Sequence, residues 1–168
     1  EWALKDYVKK GIEVLDNSTG FFMMCEGGKI DWACHANDAG STVADTIALA
    51  DAVQVAIDFA KEHPDDTLIL VTGDHETGGL TIGYAGTDYD TYLTNLTSQK
   101  ISFAQFDEQY VEAYKQNNTS FEDAMKDVEK LFGLKLKGEE GDKLVLTEYE
   151  TQRLKDAYAV AMSEYDSG

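Results

Sequence analysis

A short all-apolar run and a second, largely apolar one bracket one long amphipathic stretch, and no other feature of the sequence limits the fold as much. Phe21-Phe22-Met23-Met24-Cys25 and Thr67-Leu68-Ile69-Leu70-Val71 are of strand length. Unbroken apolar character at that length is what a strand buried on both faces looks like. Between them, from Ser41 to about Glu62, Val43, Ile47, Ala50, Val53, Ile57 and Ala60 recur at helical spacing, with Asp51, Gln54 and Asp58 opposite. A strand, a long helix and a second strand make a right-handed crossover in a parallel sheet. The expected fold class is therefore α/β, a parallel-sheet core with helices on both faces. Ala3 to Leu15 reads as an earlier helix, stopped by the turn Asn17-Ser18-Thr19-Gly20.

The character of the chain changes near Gly86. Beyond it there is no histidine and no cysteine. Ser102, Ser120 and Thr147 each open an amphipathic stretch, carrying Phe103 and Tyr110, Phe121 and Met125, and Leu154 and Tyr158 respectively. We expect residues 1–86 to form the α/β core segment and residues 87–168 an acidic helical insertion of the same domain. Proline occurs once, at Pro64, and no low-complexity linker intervenes. The chain opens at Glu1 without an initiator methionine, as a processed piece of a longer protein would.

Charge narrows the partners. Lys plus Arg number 14 against 32 Asp plus Glu, a formal net charge of −18. Such a field repels phosphate backbones and anionic lipid, so nucleic acid and membrane surfaces are poor partners. No apolar run approaches the ~20 residues that a membrane-spanning helix requires. The two cysteines, Cys25 and Cys34, are expected to be buried free thiols.

Each apolar run leads into an unusual cluster. The first is followed by Glu26-Gly27-Gly28-Lys29-Ile30-Asp31-Trp32-Ala33-Cys34-His35, the second by Thr72-Gly73-Asp74-His75-Glu76-Thr77-Gly78-Gly79. Asp31 and His35 are four residues apart, so on a helical turn they project from one face. Asp74 and His75 are adjacent, and a glycine-rich turn can aim both at one point. Mixed imidazole and carboxylate ligation suits zinc, and an extra carboxylate at Glu26 suits a harder ion such as magnesium. Read singly, Asp31 and His35 fit a surface ion pair, Asp74 a turn-capping aspartate, Glu26 a solvated loop residue, and Trp32 a packing residue. Their coincidence after two neighbouring runs favours a metal site. His63, before Pro64, reads as a helix C-terminal cap.

In these two motifs, Glu26-Gly-Gly-Lys-Ile-Asp31-x-x-x-His35 and Thr67-Leu-Ile-Leu-Val-Thr-Gly-Asp74-His75-Glu-Thr-Gly-Gly, the chain resembles the alkaline phosphatase family, from about Gly20 to Gly83. The resemblance implies a homodimeric, periplasmic or secreted hydrolase of phosphate monoesters, with two zinc ions and one magnesium. By position, Asp31 and His35 look like ligands of one zinc, Asp74 and His75 of the other, Glu26 of magnesium, and Trp32 lies near the phosphate pocket. It also implies a nucleophilic serine in an Asp-Ser-Ala segment, which nothing in this chain matches; Ser41, at a helix start, is not promoted to that role. These 168 residues are accordingly expected to be inactive as an isolated fragment. Two other readings stay open: a phosphodiesterase or phosphomutase of the same superfamily, and a non-catalytic acidic domain that binds metal or a protein partner.

Overall fold

The computed structural model describes residues 2–81 and 91–163. The change of character at Gly86 and the end of the matched stretch at Gly83 lie outside the described residues. The chain divides into two compact units, residues 1–82 and 83–168.

In the first unit, α1 (Leu4–Leu15), α2 (Lys29–His35) and α3 (Ala39–Glu62) pack together. Helix α1 starts at Ala3, whose N–H donates to Asp6 Oδ2 at 2.8 Å. It stops where Asn17 folds back: its side chain accepts from Thr19 N–H at 2.8 Å and donates to the Leu15 carbonyl at 2.7 Å, and Gly20 takes φ +92°. Helix α3 begins two residues before the expected Ser41. Asp38 is its N-cap and is buried; one carboxylate oxygen accepts from Ser41 N–H at 3.0 Å, the other from Ser41 Oγ at 2.8 Å. His63 caps its far end as expected, its N–H donating to the Phe59 and Ala60 carbonyls and its ring 4.4 Å from that of Phe59. The core between the three helices is built from Val8, Ala33, Cys34 and Ala52. The small Ala33 and Ala52 suit close approach of α2 to α3. Gly27 helps in the same way: a Cβ there would meet the side chains of Ile30 and Leu49 at 3.1 Å.

The sheet expected from the two apolar runs is not formed. Among the described residues there are no strands, and the chain is predominantly helical. The α/β class, with its parallel-sheet core covered by helices on both faces, is therefore corrected. Residues 21–25 and 67–71 run as irregular backbone, and seven of their side chains are exposed (Phe21, Phe22, Met24, Cys25, Leu68, Leu70 and Val71), Phe22 by 88%. They are not solvated throughout. Phe21 packs at 5.9 Å from the Phe59 ring of α3, and Met23 lies against Gly11 of α1, where a Cβ would stand 2.9 Å from the Met23 sulfur. An apolar run reports a preference for burial; a strand also needs a partner to complete its ladder of hydrogen bonds. The first run finds apolar contact with α1 and α3, and among the described residues neither run has such a partner. Cys25 is exposed, against expectation, while Cys34 is buried near Thr42 Oγ1 at 3.5 Å; both are free thiols.

The second unit is helical, as its sequence predicts. After a 3-10 segment at Leu93–Ser98, α4 (Phe103–Phe106) runs through a π-helical turn into α5 (Glu112–Asn117); α6 (Phe121–Phe132) and α7 (Glu148–Met162) follow. The predicted caps are in place. Ser102 Oγ accepts from Gln105 N–H, Ser120 Oγ from Asp123 N–H, and Thr147 with Glu150 completes a reciprocal capping box. That box holds the Glu150 carboxyl below its ordinary value, chiefly through the Thr147 N–H. Asn118 and Gly133 close α5 and α6 in the left-handed region. An isolated parallel bridge joins Lys135 to Val145. Tyr114, Ala124, Met125 and Leu131 form the core. Among the described residues no helix is long and apolar enough to cross a membrane.

Candidate metal centre

Both sequence clusters belong to the first unit. Asp31 lies in the first turn of α2 and His35 in its last. The helical repeat brings them onto one face, and His35 Nε2 stands 3.2 Å from Asp31 Oδ1. In the second cluster the chain turns tightly after Gly73. Asp74 Oδ1 accepts from the His75 N–H at 3.1 Å, and Asp74 Oδ2 lies 3.2 Å from His75 Nε2. The other ring nitrogen of His75, Nδ1, is 2.6 Å from the Glu76 carbonyl oxygen. A carbonyl only accepts, so Nδ1 carries the proton and, in the neutral ring, Nε2 presents a lone pair toward Asp74. This contact, reinforced by the Asp74 and Asp31 carboxylates, raises the His75 pKa above the ordinary imidazole value.

The two clusters meet. Asp31 Oδ1 is 3.9 Å from His75 Nδ1, so Asp31, His35, Asp74 and His75 form a continuous patch from α2 to the second loop. At its centre, Asp31 Oδ1 is buried from solvent and makes no hydrogen bond among the described residues. His35 approaches it at ion-pair distance without hydrogen-bond alignment. A buried carboxylate oxygen left without a donor costs about 1–3 kcal/mol or more, and a hydrogen-bond donor or a cation can satisfy it.

The spacings are those of ordinary ion pairs and are also compatible with zinc. Donors bound at ~2.0–2.1 Å to a tetrahedral zinc ion stand about 3.3 Å from one another. Asp31–His35 and Asp74–His75, each at 3.2 Å, have nearly this separation. Each pair is two donors, however, where zinc takes four. Among the described residues no three His, Cys, Asp or Glu side chains converge tightly enough to hold an ion by themselves. The donor chemistry therefore fits zinc, with half of each coordination shell supplied. Side chains of His35, His75 and Asp74 are more than half exposed, which leaves their outer sides open to further donors.

Glu26 does not join either pair. It is exposed, and its carboxylate folds over Gly28, 3.2 Å from where a Cβ would sit. Trp32 is exposed on α2, one residue beyond Asp31. Ser41 Oγ is engaged with Asp38, as befits a helix start. Two features of the loop were not legible in the sequence. Glu76 holds the turn closed by accepting from Gly79 N–H at 2.8 Å, and Gly78, at φ +70°, lies directly against His35. The glycine pair signalled an unusual turn, but its contact with the first cluster is non-local.

Alkaline phosphatase 4 of Bacillus subtilis (strain 168) is 44% identical over 85 residues, covering 50% of this chain and 18% of that protein. Repressible alkaline phosphatase of Saccharomyces cerevisiae is 40% identical over 85 residues, 46% of this chain and 15% of that protein. Membrane-bound alkaline phosphatase of Bombyx mori is 39% identical over 106 residues, 61% of this chain and 19% of that protein. The chain thus spans less than a fifth of the length of these relatives. No solved structure matches it. The family model described as Alkaline phosphatase matches residues 1–139 and so takes in both acidic-histidine clusters and most of the helical unit. With four fifths of its length accounted for by one family, this chain belongs to the alkaline phosphatases.

Proposed function

We propose that this chain supplies part of the metal centre of a phosphate monoester hydrolase. In this reading Asp31 and His35 ligate one zinc ion, Asp74 and His75 a second, and Glu26 a magnesium ion, with Trp32 bordering the phosphate pocket. The observation that carries it is the buried, unbonded Asp31 Oδ1 between two imidazoles, supported by the zinc-like spacing of the two pairs and by family membership. Charge adds an independent argument. Asp31, Asp74 and Glu26 would repel a phosphate dianion in a chain of net charge −18, so an anionic substrate requires cations at the site. When bound, such ions neutralise phosphoryl charge and lower the pKa of a coordinated oxygen nucleophile. The chain's own part is to hold them. Helix α2 fixes the Asp31–His35 face, and the Glu76 carbonyl holds the His75 ring with Nε2 toward Asp74.

The nucleophilic serine belongs, in this reading, to a segment outside the chain, and the complete enzyme is a homodimer that works in the periplasm or after secretion. Two measurements test the proposal. Zinc titration of the chain should show binding that weakens about tenfold or more in His35→Ala and in His75→Ala; unchanged affinity in both would refute the ligand assignment. With zinc and magnesium supplied, the chain by itself should not turn over p-nitrophenyl phosphate. Robust metal-dependent turnover would place a nucleophile within these residues.

A further inference from the structure

The two clusters are joined by a close backbone approach as well as by the Asp31–His75 contact. Gly78 sits at φ +70° with its Cα facing His35: a Cβ added there would stand 2.7 Å from His35 Nδ1 and 3.1 Å from both His35 Cγ and His35 Cα. No real Cβ tolerates the first distance. Because the His35 Cα is also within 3.1 Å, a rotation of the imidazole would not relieve the clash entirely. Gly79, the next residue, has almost the same backbone, φ +72°, yet a Cβ there would meet nothing within 4 Å. The turn needs left-handed backbone at both positions; it needs an absent side chain at Gly78 for a different reason.

We infer that Gly78 is a positioning residue for His35: by lacking a side chain it lets the second loop close against the imidazole and fix the ring with Nε2 toward Asp31. One wall of this seat is α2, which carries His35 and Asp31 at 3.2 Å. The other is the loop, whose closed form depends on Glu76 accepting from Gly79 N–H. The second loop thus orients His75 for its own pair, through the Glu76 carbonyl, and sets the ring angle of His35 in the other. The functional consequence rests on the proposed zinc role of His35; the packing relation does not.

The test compares three glycine variants of the full chain with the parent, by imidazole 15N–1H correlation spectra and by zinc titration, with His35→Ala for assignment. The chain has three histidines, and His35→Ala assigns the His35 signals, with His63 as an internal reference. Gly78→Ala is expected to shift the His35 ring resonances in the metal-free chain and to weaken zinc binding about tenfold or more. Gly79→Ala carries the same left-handed penalty and is expected to leave both unchanged within about twofold. Gly78→Asn, whose residue type tolerates positive φ better, separates steric contact from backbone strain and should behave as Gly78→Ala does. Unshifted His35 signals in both Gly78 variants would overturn the inference, as would equal shifts in Gly78→Ala and Gly79→Ala. If the parent binds no zinc, the metal assignment fails, and the spectra still decide the role of Gly78.

Discussion

Asp31→Ala should weaken zinc binding by the chain about a hundredfold or more while changing the stability of the metal-free chain by no more than about 1 kcal/mol. The two halves of this expectation have separate causes. A four-donor zinc site is worth roughly 10–16 kcal/mol, so one anionic donor accounts for a few kcal/mol and its loss for about a hundredfold or more in affinity. In the metal-free chain the same carboxylate is close to neutral in effect. Its Oδ1 is buried without a hydrogen bond, a penalty of about 1–3 kcal/mol that alanine removes. Against that stand a favourable first-turn position in α2, worth about 0.3–1 kcal/mol, and a half-exposed pairing with His35, worth about 0–1 kcal/mol. Urea denaturation in chelator at about pH 8, where ordinary imidazoles are neutral, gives the stability term; competition with a zinc indicator gives the affinity. A metal-free destabilisation above about 2 kcal/mol, with zinc affinity retained, would mean that Asp31 serves the fold and not an ion.

Tyr114→Ala should cost the second unit about 3–5 kcal/mol, the range for truncating a large buried aromatic, and so a large fraction of the 5–15 kcal/mol a typical domain possesses. Tyr114 is buried in α5, lies edge-on to Phe106 at 6.3 Å, and donates its hydroxyl to Asp127 Oδ2 of α6 at 2.9 Å. Tyr114→Phe isolates the hydroxyl and should cost about 1–2 kcal/mol, since Asp127 loses its donor. The pH dependence has a definite sign. Desolvation first, then the Asp127 carboxylate, pushes the Tyr114 pKa well above its ordinary value. A raised folded-state pKa means the native unit holds this proton more tightly than the unfolded chain does. Its contribution is present below about pH 10, the unfolded phenol value, and is lost as pH rises beyond it. Denaturant midpoints followed by far-ultraviolet circular dichroism should fall on alkalinisation in the parent and fall less in Tyr114→Phe. Equal falls would assign the alkaline loss to other groups.

What the sequence disclosed follows from how local each signal is. Ser102, Ser120 and Thr147 announced helix starts because a cap involves a hydroxyl and an amide three residues away. Asp38 escaped notice although the same signal, an aspartate three before Ser41, was present. The Asp31-x-x-x-His35 pairing was legible from the helical repeat, and Asp74-His75 from its glycine-wrapped turn. The meeting of the two clusters was expected because each follows one of two neighbouring apolar runs, and the Gly78–His35 contact was not visible at all, because nothing near residue 78 encodes what lies opposite. The sheet failed for a related reason. Phe21 to Cys25 and Thr67 to Val71 have the composition of buried strands, but pairing belongs to two segments at once and composition describes one.

Five large apolar side chains facing water on a polyanion have a consequence for how the molecule behaves in concentrated solution. Phe22, Met24, Leu68, Leu70 and Val71 are adhesive at contact range, whereas a charge of −18 holds neighbouring molecules apart over a distance set by ionic strength. At about 0.01 M salt that reach is ~30 Å and at about 1 M only ~3 Å. Dilute buffer should therefore keep the chain dispersed, and added salt should bring copies close enough to stick, with light scattering rising where most acidic proteins show little change.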